Sequence, residues 1–326
     1  MDTPGSEAPV RSPWHAGELA AQARVGVSER MAQVGPRTIR PFMPDQHRLF
    51  FASLPFLVVG SVDQEGWPWA SLLSGAPGFV TSPDPTTLHV AAWPLPGDPL
   101  AGVLAPSAAV GLLGIELPTR RRNRANGRMV GVDESGFTVA VEQSFGNCPK
   151  YIQLRDYVHA VTAPTAVPVE PFSDLADDAR RLIGNSDTCF VASYAPAEGP
   201  KRAVDVSHRG GPPGFLRLAS DGAIEVPDYS GNHYFNTLGN LVANPRAGLL
   251  LVDFANGDLL QVTGRASIVW EGEEVRALPG AERLWRLTPT HGRWLRGALP
   301  LRFAFRELQP HLPATETWRE TSSGVT

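Results

Sequence analysis

Two clusters in the second half of the chain carry residue types from which an anion site can be built. Ser207-His-Arg-Gly-Gly211 and Pro227-Asp-Tyr-Ser-Gly-Asn-His-Tyr-Phe235 combine small residues, imidazoles, a guanidinium and a carboxylate. The second cluster runs into Asn232–Ala243, where Phe235, Leu238, Leu241 and Val242 have the spacing of a short amphipathic helix. Small residues ahead of a helix let backbone N–H groups approach an anion, and the helix dipole favours one there. His208, Arg209 and His233 add donors suited to a phosphate. The plain alternative is a turn-rich loop with ordinary helix caps.

A third cluster, Arg120-Arg-Arg-Asn-Arg124 with Arg128, is strongly basic. On a strand, Arg122 and Arg124 would share one face. The run sits at a hairpin entering a strand, and the plainer reading is a solvated basic hairpin. Other chemistries lack their motifs: the chain has no His-Glu-x-x-His, Cys-x-x-Cys, Gly-x-Ser-x-Gly, Gly-x-Gly-x-x-Gly or Walker A pattern.

The elements that must position these clusters are written twice. Ser74-Gly-Ala-Pro-Gly-Phe-Val80 matches Gly210-Gly-Pro-Pro-Gly-Phe-Leu216 at an offset of 136 residues. Ala109-Val-Gly-Leu-Leu113 matches Arg246-Ala-Gly-Leu-Leu250, and Gly127-Arg128 matches Gly264-Arg265, both at 137. Leu57-Val-Val-Gly-Ser61 resembles Cys189-Phe-Val-Ala-Ser193 at 132. Each copy reads as short strands around one brief helical segment, with Asp221-Gly222 and Asn256-Gly257 as hairpin turns. In the first copy the strands are placed at 56–62, 69–74, 78–81, 88–93, 109–116, 129–132 and 137–143, and Leu100–Ala105 is the brief helix or turn. Glu18–Gln33 reads as a helix, and so does Asp174–Ile183. The expected division is an N-terminal arm (1–41), a first barrel (42–160), a Pro/Ala/Val linker (161–173) and a second barrel with its tail (174–326).

Composition agrees with that plan. The chain has 326 residues, a net charge of −4, 42% hydrophobic and 19% charged residues, which suits two folded domains. Its 32 glycines and 31 prolines fit many turns between short elements. Mild acidity argues against a nucleic-acid binder. The two cysteines, Cys148 and Cys189, provide no disulfide framework, and no export signal or spanning segment is visible. A soluble, cytoplasmic protein is expected.

Taken in order, Asp205-Val-Ser-His-Arg-Gly-Gly211, Pro213-Gly-Phe215, Pro227-Asp-Tyr229, Gly231-Asn232, Phe235-Asn-Thr-Leu-Gly-Asn240 and Asn244-Pro245 resemble the pyridoxamine 5′-phosphate oxidase-like, FMN-binding split-barrel family. Met43-Pro-Asp-Gln-His-Arg48, Trp69-Ala-Ser71 and Asn147-Cys-Pro-Lys-Tyr-Ile152 look like its tandem-barrel members. The resemblance implies a mainly β fold of two tandem split β-barrels forming an intrachain pseudo-dimer, with FMN between the barrels. It implies a cofactor-holding set of Ser207, His208, Arg209, Asp228, Tyr229, Gly231, Asn232, Asn236 and Asn240, with Lys150 and Tyr151 reaching across from the first barrel. Arg122 would lie near the flavin pyrimidine ring, where positive charge stabilises the reduced anion. His15-Ala-Gly-Glu18 looks like the family's N-terminal arm, in a structural rather than metal-binding role.

The Arg-Lys phosphate grip of the true oxidases is not evident near Asn236-Thr237. His291-Gly-Arg-Trp-Leu-Arg296 does not match their substrate-binding pattern either. The implied activity is therefore a flavin-dependent oxidoreductase on an unidentified small substrate, with NAD(P)H or a reductase partner as electron donor and the chain a monomeric pseudo-dimer or a homodimer. Alternatives on the same barrel are haem or deazaflavin use, or a non-catalytic flavin store or sensor.

Overall fold

The structure is a computed structural model that describes residues 12–160, 168–197 and 202–310. Three helices come first: α1 (Ala16–Arg24), α2 (Ser28–Thr38) and α3 (Asp45–Ser53). The first sheet contains β1 (Phe56–Val62), β2 (Pro68–Ser74), β3 (Val80–Thr81), β4 (Thr87–Val90), β5 (Ala109–Glu116), β6 (Arg121–Asp133) and β7 (Gly136–Gly146). β8 (Leu154–His159), β9 (Val169–Phe172) and α4 (Asp177–Asn185) lead to the second sheet. That sheet contains β10 (Thr188–Pro196), β11 (Arg202–Gly210), β12 (Arg217–Leu218), β13 (Ile224–Tyr229), β14 (Arg246–Val252), β15 (Leu259–Val269) and β16 (Ala281–Leu295). Helix α5 (Asn236–Ala243) joins β13 to β14, and β17 (Leu301–Glu307) ends the described chain.

The two sheets repeat one topology. The first runs β2-β1-β5-β6-β7-β4-β3, and the second runs β11-β10-β14-β15-β16-β13-β12 with β9 added alongside β16. All named pairs are antiparallel. The chain is thus mainly β, two tandem copies of one split barrel. The sequence repeats mark positions with a common physical constraint. Register shifts occur at Asn126/Gly127 and at Thr263/Gly264. A Cβ on Gly127 would sit 2.0 Å from the Ala140 carbonyl oxygen, and one on Gly264 2.1 Å from that of Thr288. Only glycine fits such a bulge.

Strand alternation divides the core. Leu57, Val59, Val110 and Leu112 face the first barrel's interior, while Val58 and Leu113 join Phe190, Val206 and Leu250 between the barrels. Every residue of β1 is therefore buried, one face by its own barrel and the other by its twin. The two-stranded ribbon β8–β17 adds Phe303, edge-on to Phe56 and Phe254, to that shared core.

Three expectations need correction. The strand placed at 129–132 begins at Arg121, so the basic run lies in β6 and only Arg120, with positive φ, is left at its turn. The 15-residue β16 was not expected; Pro289 and Gly292 disguise it, and Pro289 stands beside its register shift. Of the expected linker 161–173, residues 161–167 lie outside the described residues, and Val169–Phe172 is strand β9 rather than a passive connection. Among the described residues no helix is long and apolar enough to cross a membrane.

Candidate functional site

A cleft opens where β6 of the first barrel meets β11, β13 and the start of α5 of the second, with about 800 Å³ of empty space counted to its open mouth. Its lining includes Arg122, Ser207, His208, Arg209, Asp228, Tyr229, Gly231, Asn232, Asn236 and Tyr151, ten of the twelve residues expected to hold the cofactor. Lys150 does not line it. Asn240 is buried instead in the packing of α5, its amide donating to Ser193 Oγ at 3.0 Å.

Two arginines of β6 cross between the barrels at the cleft. Arg124, buried, donates to Asp205 Oδ1 at 3.2 Å, Asn236 Oδ1 at 2.7 Å and Ser207 Oγ at 2.6 Å. It tethers β6 to β11 and α5. Arg122, two residues earlier on the same strand face, has no carboxylate partner among the described residues: its Nε donates to the Cys148 carbonyl at 2.9 Å and its Nη1 lies 3.1 Å from His208 Nδ1. Burial lowers the Arg122 pKa to about 10, so it stays a cation at neutral pH. A guanidinium only donates, so His208 Nδ1 must accept and the imidazole proton sits on Nε2. Burial first, then Arg122 and Arg209, push the His208 pKa well below its usual range, which keeps the ring neutral.

Asp228 holds two more guanidinia, Arg209 at 2.6 Å and Arg283 at 2.8 Å. Its carboxylate is spent on positioning them, so its part in the site is electrostatic rather than direct contact with a ligand. The cleft lining carries four guanidinia, and Asp205, Asp228 and Glu282 are their acidic partners. The excess positive charge resides at Arg122.

The expected helix over 232–243 begins only at Asn236. Phe235 precedes it in the left-handed region, with φ of 61°, and no side chain caps the helix. Among the described residues five non-glycines have positive φ, and Tyr151, His233 and Phe235 of these line the cleft. Backbone strain concentrated at one cleft is the pattern of a functional site. The surroundings hold it in place. Tyr151 donates its hydroxyl to the Ser230 carbonyl at 2.8 Å and stacks on Tyr229 with ring centroids 5.2 Å apart. From the N-terminal arm, Arg30 reaches His233 at 2.9 Å and Gln22 reaches the Tyr234 carbonyl at 3.4 Å. Glu18 Oε1 accepts from Asn236 Nδ2 at 2.6 Å, and burial pushes its pKa up to about 8. His15 and Glu18 also form the capping box of α1, which accounts for the His15-Ala-Gly-Glu18 motif structurally.

Sequence reasoning missed Arg283, Glu18 and Cys148 as neighbours of the site. Arg283 was hidden with β16. Glu18 and Cys148 stood in motifs already noticed, but nothing in their spacing placed them beside α5 or Arg122.

Residues 175–309 match the family model described as pyridoxamine 5′-phosphate oxidase. No curated protein matches the chain. Solved structures similar to it include HupZ of Group A Streptococcus, at 17% identity over 35% of this chain and 89% of that one, with a TM-score of 0.28. HutZ, the haem storage protein of Vibrio cholerae, is 16% identical over 38% and 95% of the two chains, with a TM-score of 0.27. A pyridoxamine 5′-phosphate oxidase homologue of Corynebacterium glutamicum is 15% identical over 40% and 99%, with a TM-score of 0.27. The match spans the second barrel, which is similar to the pyridoxamine 5′-phosphate oxidase-like split-barrel family.

Proposed function

We propose that the inter-barrel cleft binds FMN and that the protein is a flavin-dependent oxidoreductase acting on a small substrate. The observation that carries this reading is that an uncompensated guanidinium, Arg122, and the uncapped start of α5 line one cleft. The residues fit the group. Three buried donors without a partner, Arg124 Nε, His208 Nε2 and Arg209 Nε, belong to residues of this lining. Unpaired buried groups are costly, and an acceptor-rich ligand relieves that cost.

The first-turn N–H groups of α5, with Thr237, Arg209 and Arg283, would hold the phosphate. The stacked Tyr151–Tyr229 pair offers an aromatic wall beside the ring system. Arg122 would supply positive charge toward the ring, and Asn236, its amide fixed by Arg124 and Glu18, would present its remaining N–H to the ribityl chain. Bound FMN would supply the acceptor for a hydride or electron pair from a nicotinamide or a reductase. The protein's part is to bind, orient and bias the charge.

The test is the spectrum of the purified protein with added FMN, followed by anaerobic addition of NADH or NADPH. Flavin bands that bleach with the donor support the reading. Flavin bands that never bleach, even with cell extract, make the protein a flavin carrier. A Soret band shows haem instead, and a colourless protein that takes up no FMN overturns the proposal.

A further inference from the structure

The fold builds two pseudo-equivalent grooves between its barrels, and we infer that only one is a binding site, so that a single chain binds one flavin rather than two. This rests on the flavin reading above and goes beyond it by fixing the count and the location. Strand register identifies the second groove. Val59 pairs with Ser71 as Val191 pairs with Ser207, so Ser71, Leu72 and Leu73 stand where Ser207, His208 and Arg209 stand. Leu113 pairs with Arg124 as Leu250 pairs with Gln261, which puts Leu259 and Gln261 in the places of Arg122 and Arg124.

These substitutions put Leu259, Gln261, Leu72 and Leu73 in the places of Arg122, Arg124, His208 and Arg209. What remains is filled by protein. Gln261 Nε2 donates to the Ala70 carbonyl at 2.9 Å, to Asp98 Oδ2 at 3.1 Å and to Ser71 Oγ at 3.3 Å. Ser71 donates to Asp98 Oδ1 at 2.5 Å, and the Leu100 N–H donates to the same oxygen at 2.8 Å. Asp98 is therefore an internal anion, seated where the open cleft would receive a ligand's phosphate. The short 3₁₀ turn that follows, Pro99–Gly102, starts with a proline that has no N–H to donate. Strand β9 closes the outside: a Cβ on Gly97 would lie 2.8 Å from a Val169 methyl. An anionic ligand entering this groove would meet the buried Asp98 carboxylate, and the nearest guanidinium, Arg293, is engaged with the Gly97 carbonyl.

The experiment equilibrates the protein with excess FMN, removes unbound flavin by gel filtration, and measures flavin against chain by absorbance and amino-acid analysis. One flavin per chain is expected. Two per chain would overturn the inference while leaving the flavin reading intact, and one per two chains would overturn it in favour of a site shared between molecules. No flavin at all would overturn the reading beneath it. Arg122→Leu, which copies Leu259, is expected to weaken FMN about 10- to 100-fold, the loss of a hydrogen bond to a charged group. Ser71→Ala in the closed groove is expected to leave the ratio at one. Retention by Arg122→Leu with loss by Ser71→Ala would place the flavin in the wrong groove and sink the proposal.

Discussion

The open and the closed grooves share a backbone plan and differ in almost every side chain. Where β13 ends in Asp228 and Tyr229, the first barrel has Ala92 and Trp93. Where the open cleft is approached by Ser230-Gly-Asn-His233, the closed one is approached by Pro94-Leu-Pro-Gly97. Two copies joined in one chain are free to diverge, whereas the two-fold symmetry of a homodimer forces both sites to be alike. The open cleft concentrates unpaired donors and non-glycine left-handed backbone at Tyr151, His233 and Phe235, whereas in its twin the left-handed position falls on a glycine, Gly97.

The contrast is sharpest when one side chain is moved between grooves. Leu259→Arg places a guanidinium at a fully buried position in the apolar core between the barrels. The expected cost is about 5 kcal/mol of folding stability, since an unpaired buried charge is among the few changes that reach this size. The reverse exchange, Arg122→Leu, is expected to cost only about 1 to 2 kcal/mol, because it breaks no ion pair and leaves only the Cys148 carbonyl and His208 Nδ1 without their donor. Urea denaturation of both variants decides the point; equal losses would mean that the grooves are not specialised in this way.

A smaller effect is expected from Arg124→Gln, which copies Gln261. It leaves Asp205 buried without its cation, at a cost of about 3 kcal/mol. Adding Asp205→Asn should restore most of that loss. A double variant no more stable than the single would show that Arg124 acts through packing on Phe145 rather than through charge.

The sequence disclosed the duplicated barrel because the repeats fall on glycines with hard steric limits, Gly127 and Gly264, or at the same steps of the ladder. It disclosed most of the cleft because β11, the β13–α5 loop and Tyr151 lie in motifs of distinctive composition. It could not separate Lys150 and Asn240 from the lining residues beside them: one residue along a loop, or one turn along a helix, divides the two. It could not reveal Arg124 as the tether, since its three partners lie about 80 to 110 residues away in sequence. Nor could it show which groove was closed, because closure depends on Asp98, Gln261 and β9 meeting in space.

Protonation offers a further way to separate the grooves. Burial raises Glu18, beside the open cleft, to about 8 and Asp98, inside the closed one, to about 6. Both hold their protons more tightly when folded, so each contribution to stability is full in acid and fades as pH rises, through about 6 for Asp98 and through about 8 for Glu18. Between pH 6 and 8.5 the melting temperature should therefore fall by an amount equivalent to about 2 kcal/mol, and Glu18→Gln should flatten that decline. A slope unchanged in Glu18→Gln would mean that this carboxyl is already ionised in the folded chain. His208, whose pKa is lowered, works in the opposite sense and costs stability as pH falls below its ordinary range near 6.5.

The smallest expected effect tests the first barrel's reach into the open cleft. Tyr151→Phe keeps the stack on Tyr229 and removes only the hydrogen bond to the Ser230 carbonyl. One neutral hydrogen bond at a partly buried site is worth about 1 kcal/mol. The bond spans the two halves of the chain and steadies the loop that carries Gly231 and Asn232, so its loss should weaken FMN about fivefold while stability changes little. Lys150→Ala, next in the chain but off the cleft, should leave FMN affinity within twofold. Titration of both variants by flavin fluorescence separates the two neighbours. An equal loss in both would make the segment matter as a positive loop, and the particular contact made by Tyr151 would no longer explain why the first barrel is part of the site.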